Sequence, residues 1–228
     1  MIATLAPKFA KLPPAQRRLW PELRPGIALG LVLYGGTAIS LHLGHRRSVD
    51  FDFFTDRPLD KPALREAFAF LRDANTLQDA KDTLVVLAPG ARLRSRIAVK
   101  VSFFGGMQFG RVGDPLLSAD GVLEVASLDD LMAHKLKVIL QRGERKDYQD
   151  IAAMIRAGVD VARGLAAARL FFGRTFQPAE SLKAMVYFRD GDLPQLSPVD
   201  RVTLINAASA AGALARIETR SRVLSIPL

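Results

Sequence analysis

The sequence has no cysteine and only three histidines among its 228 residues. Without cysteine the protein has no disulfide bond, no thiolate nucleophile and no zinc–thiolate site. The three histidines, His42, His45 and His134, lack the regular spacing of metal ligands. Cysteine chemistry is therefore excluded, and a histidine-based metal site is not indicated.

A leader peptide or membrane anchor is not indicated either. The N-terminal segment lacks the continuous apolar core and the small-residue cleavage site of a signal peptide. The range 26–44 carries no formal charge, but a Gly-Gly pair lies near its centre. This pattern favours a buried strand followed by a short helix over a membrane-spanning helix. We therefore expect a cytoplasmic protein with no membrane partner.

Acidic residues are fewer than basic ones, 23 against 32, which gives a net charge of +9. Such a charge suggests a polyanionic partner, and nucleic acid is the obvious candidate, although solvated surface arginines would give the same total. Apolar residues make up 49% of the chain and charged residues 24%. This balance and length are typical of a soluble globular protein with an ample core.

The hexapeptide VDFDFF carries the most chemical information. Arranged as a strand, it places Val49, Phe51 and Phe53 on the buried face and Asp50 and Asp52 on the open face. Two carboxylates at about 4 Å repel each other by about 1 to 4 kcal/mol in partly wet surroundings. A hard divalent cation removes this repulsion, and oxygen-only ligation favours Mg²⁺ or Mn²⁺. A D-x-D sequence by itself is also common on solvated strands, so the surrounding residues must show whether it forms a metal site.

Phosphate-binding features precede the two aspartates. Gly35-Gly36-Thr37 follows an apolar run and precedes a helix-like segment. Glycines at such a turn let the backbone approach a phosphate, and Thr37 lies at a helix N-terminus, where free N–H groups favour anions. Arg46 and Ser48 add further phosphate donors. The segment therefore combines a candidate metal site with a candidate phosphate site.

The string GGTAISLHLGHRRSVDFDFF resembles the polymerase-β-like nucleotidyltransferases, whose signature is a Gly-Gly or Gly-Ser turn followed by D-x-D. More narrowly, it is similar to the abortive-infection nucleotidyltransferase toxins of the AbiEii family. This resemblance implies an α+β fold. A nucleotidyltransferase core with a small mixed or antiparallel sheet is expected over residues 1–125. A helical C-terminal domain that completes the active-site cleft is expected over residues 126–228.

The resemblance also implies a third carboxylate on a neighbouring strand. We predict strands over 83–88 and 94–104, and the expected position in the second strand is Ser102. Serine is a poor metal ligand. Three alternatives follow: the site uses two carboxylates with phosphate oxygens and water, Asp79 or Asp82 replaces the missing acid, or activity is lost.

A helix is predicted from Ser127 to Gln141, and Lys135 falls inside its apolar stripe. Its ammonium must therefore be desolvated, paired or directed into a cleft, and the alternative is a surface lysine whose chain extends along the helix to place the ammonium in solvent. Asp147 borders the buried face of the next helix and could reach Lys135 or a bound substrate. The string HKLKVILQRGERKDYQDIAAM resembles a second conserved part of the AbiEii family. This resemblance implies that Lys135 holds nucleotide phosphates and that Asp147 assists catalysis or substrate placement.

The rest of the chain is predicted to be largely helical and offers no further catalytic group. Additional helices are expected over 13–23, 58–71, 161–172, 178–188 and 199–218. Six arginines near the C-terminus are available either for an RNA backbone or simply for solvent: Arg163, Arg169, Arg174, Arg216, Arg220 and Arg222.

These features predict a metal-dependent nucleotidyltransferase that moves a nucleoside monophosphate from a nucleoside triphosphate to an acceptor. The family resemblance suggests the 3′ end of a transfer RNA as acceptor and an antitoxin as partner. The alternatives are a non-catalytic nucleotide- or RNA-binding module, motivated by Ser102, and a kinase that transfers the γ-phosphate. An antibiotic nucleotidyltransferase is disfavoured because aminoglycosides and this protein are both positively charged.

The predicted metal ligands are Asp50 and Asp52, and the predicted nucleotide-binding residues are Gly35, Gly36, Thr37, Arg46 and Ser48.

Overall fold

The computed structural model describes residues 3–89 and 98–226, and within these ranges the chain forms eight strands and eight α-helices. It divides into two units. Unit 1 contains the described residues of 1–110, 114–126 and 221–228. Unit 2 contains 111–113 and 127–220. Apart from 111–113, unit 2 lies within the predicted helical domain, whereas the segment 221–226 is grouped with unit 1.

Unit 1 is a mixed sheet with short helices. Its strands are β1 (Thr4–Leu5), β2 (Val32–Tyr34), β3 (Asp50–Phe54), β4 (Asn75–Ala80), β5 (Thr83–Ala88), β6 (Val99–Phe104), β7 (Leu116–Ser118) and β8 (Glu124–Val125). Its α-helices are α1 (Pro14–Leu19), α2 (Gly35–Leu43) and α3 (Lys61–Ala67). Three 3₁₀ helices span Phe9–Lys11, Trp20–Gly26 and Ala69–Arg72.

The strand order is β1-β7-β8-β2-β3-β6-β5-β4, which puts β3 in the interior of the sheet. Strand β3 pairs antiparallel with β2 and parallel with β6. Both neighbours therefore fix the register of the two aspartates. The mixed sheet agrees with the fold expected from the sequence.

One face of β3 is buried and the other is partly exposed, as its alternating sequence predicts. Phe51 and Phe53 are fully buried, and Phe53 stacks on Phe103 of β6 with ring centroids 5.6 Å apart. The expectation for Val49 is wrong, because this residue precedes the strand and is 58% exposed. The buried aromatic row thus anchors the strand that carries the carboxylates.

Two other predicted elements are shorter than expected. The helix expected over 58–71 begins at Lys61, where Asp60 accepts a hydrogen bond from the Ala63 N–H at 2.9 Å. It ends at Ala67, since Phe68 has an extended backbone. The strand expected over 94–104 begins at Val99, and its predicted residues 94–97 lie outside the described residues.

The helix expected from Pro13 to Leu23 is α only to Leu19 and continues as the 3₁₀ helix Trp20–Gly26. Pro21 and Pro25 lie in this second segment. Because proline has no N–H to donate, these residues disfavour a continuous α-helix.

Unit 2 is helical, as expected. It contains α4 (Leu128–Val138), α5 (Arg145–Arg156), α6 (Val161–Phe172), α7 (Pro178–Met185) and α8 (Pro198–Ala210), with 3₁₀ helices at Gly173–Thr175 and Leu193–Gln195. Helix α8 is shorter than the predicted 199–218, because the backbone becomes extended at Ala211 and a glycine follows. No helix in the described part of the chain has the length and apolarity needed to cross a membrane.

Candidate active site

The Gly-Gly turn lies between β2 and α2 and is crowded by the groups predicted to work with it. Gly35 has a φ of +73°, and a Cβ built on it would lie 2.7 Å from Asp52 Oδ2. A Cβ on Gly36 would lie 2.5 Å from Arg46 Nη2 and 3.1 Å from Ser48 Oγ. Gly35 therefore needs glycine for its backbone conformation, and the missing side chains at both positions let Asp52, Arg46 and Ser48 converge on the start of α2.

Hydroxyl groups of α2 hold the segment that leads to the carboxylates. The buried Thr37 hydroxyl donates to the Asp50 carbonyl oxygen. Ser40 Oγ donates to the Arg46 carbonyl oxygen at 2.7 Å. Thr37, predicted as a phosphate donor, thus uses its hydroxyl to position the first residue of β3.

The neighbouring strand β6 places two side chains opposite the aspartates. Asp52 is paired in register with Ser102, and Asp50 with Lys100. Residues paired in this way share one face of the sheet. Ser102 therefore occupies the place beside Asp52 where the family resemblance implies a third carboxylate. Lys100 Nζ lies 3.5 Å from Asp50 Oδ2, an ion pair that the sequence analysis missed.

The register excludes Asp79 as the replacement acid. Asp79 pairs with Leu84, which pairs with Phe103, which pairs with Phe53. Asp79 therefore shares the face of the buried phenylalanines, three strands away from β3. Its carboxylate is bound by Lys61 Nζ at 2.5 Å, a hydrogen bond that lowers the pKa of Asp79.

Asp82 is no better placed. It lies in the β4–β5 turn, next to Thr83, whose register partner is Phe104 at the end of β6 remote from Lys100. One of its carboxylate oxygens accepts a hydrogen bond from the Leu59 N–H at 3.1 Å. Among the described residues, histidine, aspartate and glutamate form no group of three or more that could hold a metal ion. A metal at Asp50 and Asp52 would need its remaining ligands from substrate and water.

In unit 2, Lys135 lies within an ion-pair network. Its Nζ lies 2.6 Å from Asp147 Oδ1 and 2.7 Å from Asp150 Oδ2. Both carboxylates are fully buried and the lysine is only 6% exposed. Arg142, which is partly exposed, donates from Nε to Asp147 Oδ2 at 2.8 Å. The expected contact between Lys135 and Asp147 is present, and the four side chains balance in charge.

Asp150 and Arg142 also belong to the ion-pair network around Lys135, although the sequence analysis did not predict them. Asp150 follows Asp147 by three residues on α5, so the two face the same side of the helix. That spacing was a signal for a second carboxylate partner. Arg142 lies in the turn before α5, where helical periodicity gives no information. The neighbouring Tyr148 is buried, and burial, together with Asp190 and Asp147, raises its pKa to about 12.

The first turn of α4 holds another buried carboxylate. Asp130 Oδ1 accepts a hydrogen bond from the Val112 N–H at 2.8 Å, and Oδ2 accepts one from Ser127 Oγ at 2.7 Å. Despite these bonds, burial raises the pKa of Asp130 to about 6. Burial lowers the pKa of His134, further along α4, to about 3. Both groups make the stability of unit 2 depend on pH.

The six arginines suggested for RNA binding fall into two groups by their contacts and exposure. Arg163 donates to Asp129 at 2.7 Å, and Arg169 donates to the carbonyl oxygens of Gly173 and Phe176 at 2.8 Å. These two contribute to the structure of unit 2. The other four are exposed: Arg174, Arg216, Arg220 and Arg222.

The predicted site residues thus form two groups. Unit 1 brings together the Gly-Gly turn, Thr37, Arg46, Ser48 and the two aspartates, and it adds Lys100. Unit 2 brings together Lys135 and Asp147.

Comparison with known proteins gives a family match over most of the chain. A family model described as nucleotidyl transferase AbiEii toxin, Type IV TA system, matches residues 19–211. An uncharacterized protein of Aquifex aeolicus (strain VF5), aq_aa25, is 31% identical over 168 residues, which cover 72% of this chain and 77% of that protein.

Solved structures share the fold at low sequence identity. MenT4, a nucleotidyltransferase toxin from Mycobacterium tuberculosis H37Rv, matches with a TM-score of 0.61 and 14% identity, covering 87% of this chain and 84% of that chain. JHP933 from Helicobacter pylori matches with a TM-score of 0.57 and 15% identity, covering 86% of this chain and 89% of that chain.

Proposed function

Because the chain belongs to the AbiEii nucleotidyl transferase toxin family, and is thus a nucleotidyltransferase, we propose that unit 1 carries its nucleotide- and metal-binding centre. The observation that carries this proposal is the convergence of Asp52, Arg46 and Ser48 on the Gly-Gly turn. It gives one short segment both carboxylates for a cation and donors for phosphate.

The residues of the site fit a divalent cation of the hard, oxygen-binding class. Asp50 and Asp52 present carboxylates on one sheet face, and glycine at position 35 leaves room beside Asp52 Oδ2. Magnesium is commonly bound by one or two carboxylates together with substrate phosphates and water. A Mg²⁺ or Mn²⁺ ion held by the two aspartates would polarise phosphate oxygens and stabilise negative charge as it develops.

The protein groups of unit 1 position and neutralise the triphosphate. N–H groups at the start of α2 and the hydroxyl of Ser48 bind phosphate oxygens, while Arg46 offsets their charge. Thr37 holds Asp50 in place through the backbone. The oxygen of an acceptor hydroxyl attacks the α-phosphorus and its proton passes to water, the bond from that phosphorus to the bridging oxygen breaks, and pyrophosphate leaves. Such transfers depend mainly on positioning and electrostatic stabilisation.

Lys135 and Asp147 are proposed as a supporting pair. The ammonium of Lys135 already has two carboxylate partners in unit 2 and the residue is only 6% exposed, so at most one of its three N–H groups is left for a phosphate. Asp147 is buried and is shared between Lys135 and Arg142. We propose that this network acts on the reaction through the structure of the helix pair, with Arg142 as its exposed member.

The proposed acceptor is the 3′ end of a transfer RNA, and the proposed partner is a cognate antitoxin. The net charge of +9 supports an RNA partner. The description of the family as a Type IV TA system supports the antitoxin.

Growth inhibition provides a test in cells. Expression of the wild-type protein is expected to slow growth, and the double variant Asp50→Asn, Asp52→Asn is expected to relieve this inhibition. The double variant Glu66→Gln, Asp73→Asn removes the same charge from exposed sites of unit 1 and is expected to stay toxic. Equal toxicity of the aspartate variant and the wild type would reject the proposed site.

A second candidate function is nucleotide binding without transfer, and the pairing of Ser102 with Asp52 is the observation that favours it. In that case the protein binds a nucleotide and metal but releases no pyrophosphate. Measurement of pyrophosphate release from each nucleoside triphosphate, with RNA present, separates the two functions.

A further inference from the structure

The sheet face of unit 1 that carries Asp50 and Asp52 also carries a lysine to which the proposed reaction gives no role. Lys100 is the register partner of Asp50, and its Nζ lies 3.5 Å from Asp50 Oδ2. Asp50 belongs to the pair proposed to hold the cation. The ammonium of Lys100 is therefore next to the position that a divalent ion would take.

Lys100 is poorly placed to be only a structural residue. Its side chain is 40% exposed and that of Asp50 is 35% exposed, so their ion pair is wet and contributes little to stability. Lysine has a flexible four-carbon stem and can move its charge without a change in the backbone. The pair can thus be opened at low cost.

The ammonium and a divalent ion compete for the same carboxylate. Ser102 stands beside Asp52 where a third acid would be expected, so this sheet face offers a metal the carboxylates of Asp50 and Asp52. The carboxylate of Asp50 is already partly neutralised by Lys100. The repulsion between the ammonium and a doubly charged ion makes metal binding weaker while Lys100 stays next to Asp50. A nucleoside triphosphate changes this balance, because its phosphates supply both additional metal ligands and a new partner for the ammonium.

We propose that Lys100 is a positioning residue that makes metal binding depend on nucleotide. Without nucleotide, the ammonium of Lys100 forms an ion pair with the Asp50 carboxylate and keeps the affinity of the site for Mg²⁺ or Mn²⁺ low. When a triphosphate enters, the ammonium moves to the phosphates and the carboxylates take the metal. This inference rests on the proposed function of Asp50 and Asp52.

The test measures Mn²⁺ binding by electron paramagnetic resonance, with and without the four α,β-methylene nucleoside triphosphates, which cannot transfer the nucleotidyl group. Removal of the ammonium in Lys100→Met is expected to tighten Mn²⁺ binding without nucleotide by about tenfold. It is also expected to reduce the factor by which nucleotide improves Mn²⁺ affinity. Lys100→Arg keeps the charge and is expected to behave like the wild type.

A matched control separates this local effect from net charge. Lys61→Met removes one lysine from another lysine–aspartate pair of unit 1, with Asp79 on the phenylalanine side of the sheet. It is expected to leave Mn²⁺ affinity unchanged. If Lys100→Met and wild type bind Mn²⁺ equally without nucleotide, while nucleotide still promotes binding, the inference about Lys100 is overturned. If the wild type binds no Mn²⁺ even with nucleotide, the proposed metal site fails, and the inference fails with it.

Discussion

The absence of a side chain at Gly36 leaves room for the Arg46 guanidinium. A Cβ at this position would lie 2.5 Å from Arg46 Nη2, which is the far end of a flexible side chain. Gly36 lies in α2, where alanine is favoured over glycine by about 1 kcal/mol. An added methyl group should therefore move the arginine without unfolding the protein.

We expect Gly36→Ala to weaken binding of α,β-methylene nucleoside triphosphates by about tenfold, because the charge-assisted contact of Arg46 with phosphate is lost. Isothermal titration calorimetry measures this affinity, and urea denaturation checks that stability is retained. Gly212→Ala is the matched control, since a Cβ there has no neighbour within 4 Å among the described residues. Unchanged nucleotide affinity in Gly36→Ala would show that Arg46 is not part of the nucleotide site.

Helices α4 and α5 are joined through the ammonium of Lys135. Lys135→Met would leave the fully buried carboxylates of Asp147 and Asp150 without this partner. We expect a loss of about 3 to 5 kcal/mol in the free energy of unfolding, the usual cost of breaking a buried ion pair. Urea denaturation gives this quantity.

The control for this change is two residues away on the same helix. Lys137 Nζ donates to the Thr175 carbonyl oxygen at 3.0 Å from an exposed position, so Lys137→Met should cost about 1 kcal/mol or less. If the Lys135 variant were as stable as the Lys137 variant but inactive, Lys135 would act on substrate rather than through the helix pair.

The first turn of α4 should be sensitive to pH through Asp130. Burial raises the pKa of Asp130 from 3.8 to about 6, so between these values the folded state binds more protons than the unfolded state. Its contribution to stability is therefore fully present below pH 3.8 and is lost as the pH rises through 6. The difference in pKa corresponds to about 3 kcal/mol.

Asp130→Asn removes this titration while it keeps a similar shape. We expect the free energy of unfolding of the variant, relative to wild type, to rise by up to about 3 kcal/mol between pH 4 and pH 7. Urea denaturation at a series of pH values measures this difference. His134 titrates in both proteins, so its effect cancels in the comparison. A difference that stays constant over this range would contradict the raised pKa of Asp130.

The elements that the sequence predicts best have strong local signals. Strand β3 has an alternating pattern, and helix α6 has Asp160 as its N-cap and Gly173 as its C-cap. Strand β4 was missed because all its residues are exposed and its apolar content is low. The very short strands β1, β7 and β8 were missed because they owe their existence to pairing with distant segments.

Candidate site residues are likewise easier to predict when they lie close together in the sequence. Asp52, Arg46 and the Gly-Gly turn all belong to one short segment, and the sequence predicts each of them. The pairing of Asp50 with Lys100 depends on the parallel register between β3 and β6, which periodicity does not determine. The resemblance to the AbiEii family is confirmed by the family match over residues 19–211.

At the scale of the whole molecule, positive charge should govern the proposed association with RNA. Binding of transfer RNA is expected to weaken as salt concentration rises, because each phosphate contact releases a counterion. Replacing an exposed arginine that contacts phosphate should reduce the slope of log K against log salt concentration by about 1. Filter binding with Arg174→Gln and with Arg216→Gln measures this change.

Arg163→Gln is the control, since this arginine is already paired with Asp129 at 2.7 Å. It is expected to leave the salt slope unchanged. Identical slopes for all variants and the wild type would mean that Arg174 and Arg216 do not contact RNA.

The central claim is transfer of a nucleoside monophosphate at Asp50 and Asp52. The most direct measurement incubates purified protein with Mg²⁺, total cellular RNA and each α-labelled nucleoside triphosphate in turn. Parallel reactions contain γ-labelled nucleotide and the Asp50→Asn, Asp52→Asn variant. We predict that α-label, but not γ-label, enters an RNA band with the wild-type protein only, and a band of transfer RNA size would identify the acceptor. Entry of γ-label instead would indicate a kinase, and absence of both labels despite metal-dependent nucleotide binding would contradict catalysis at this site.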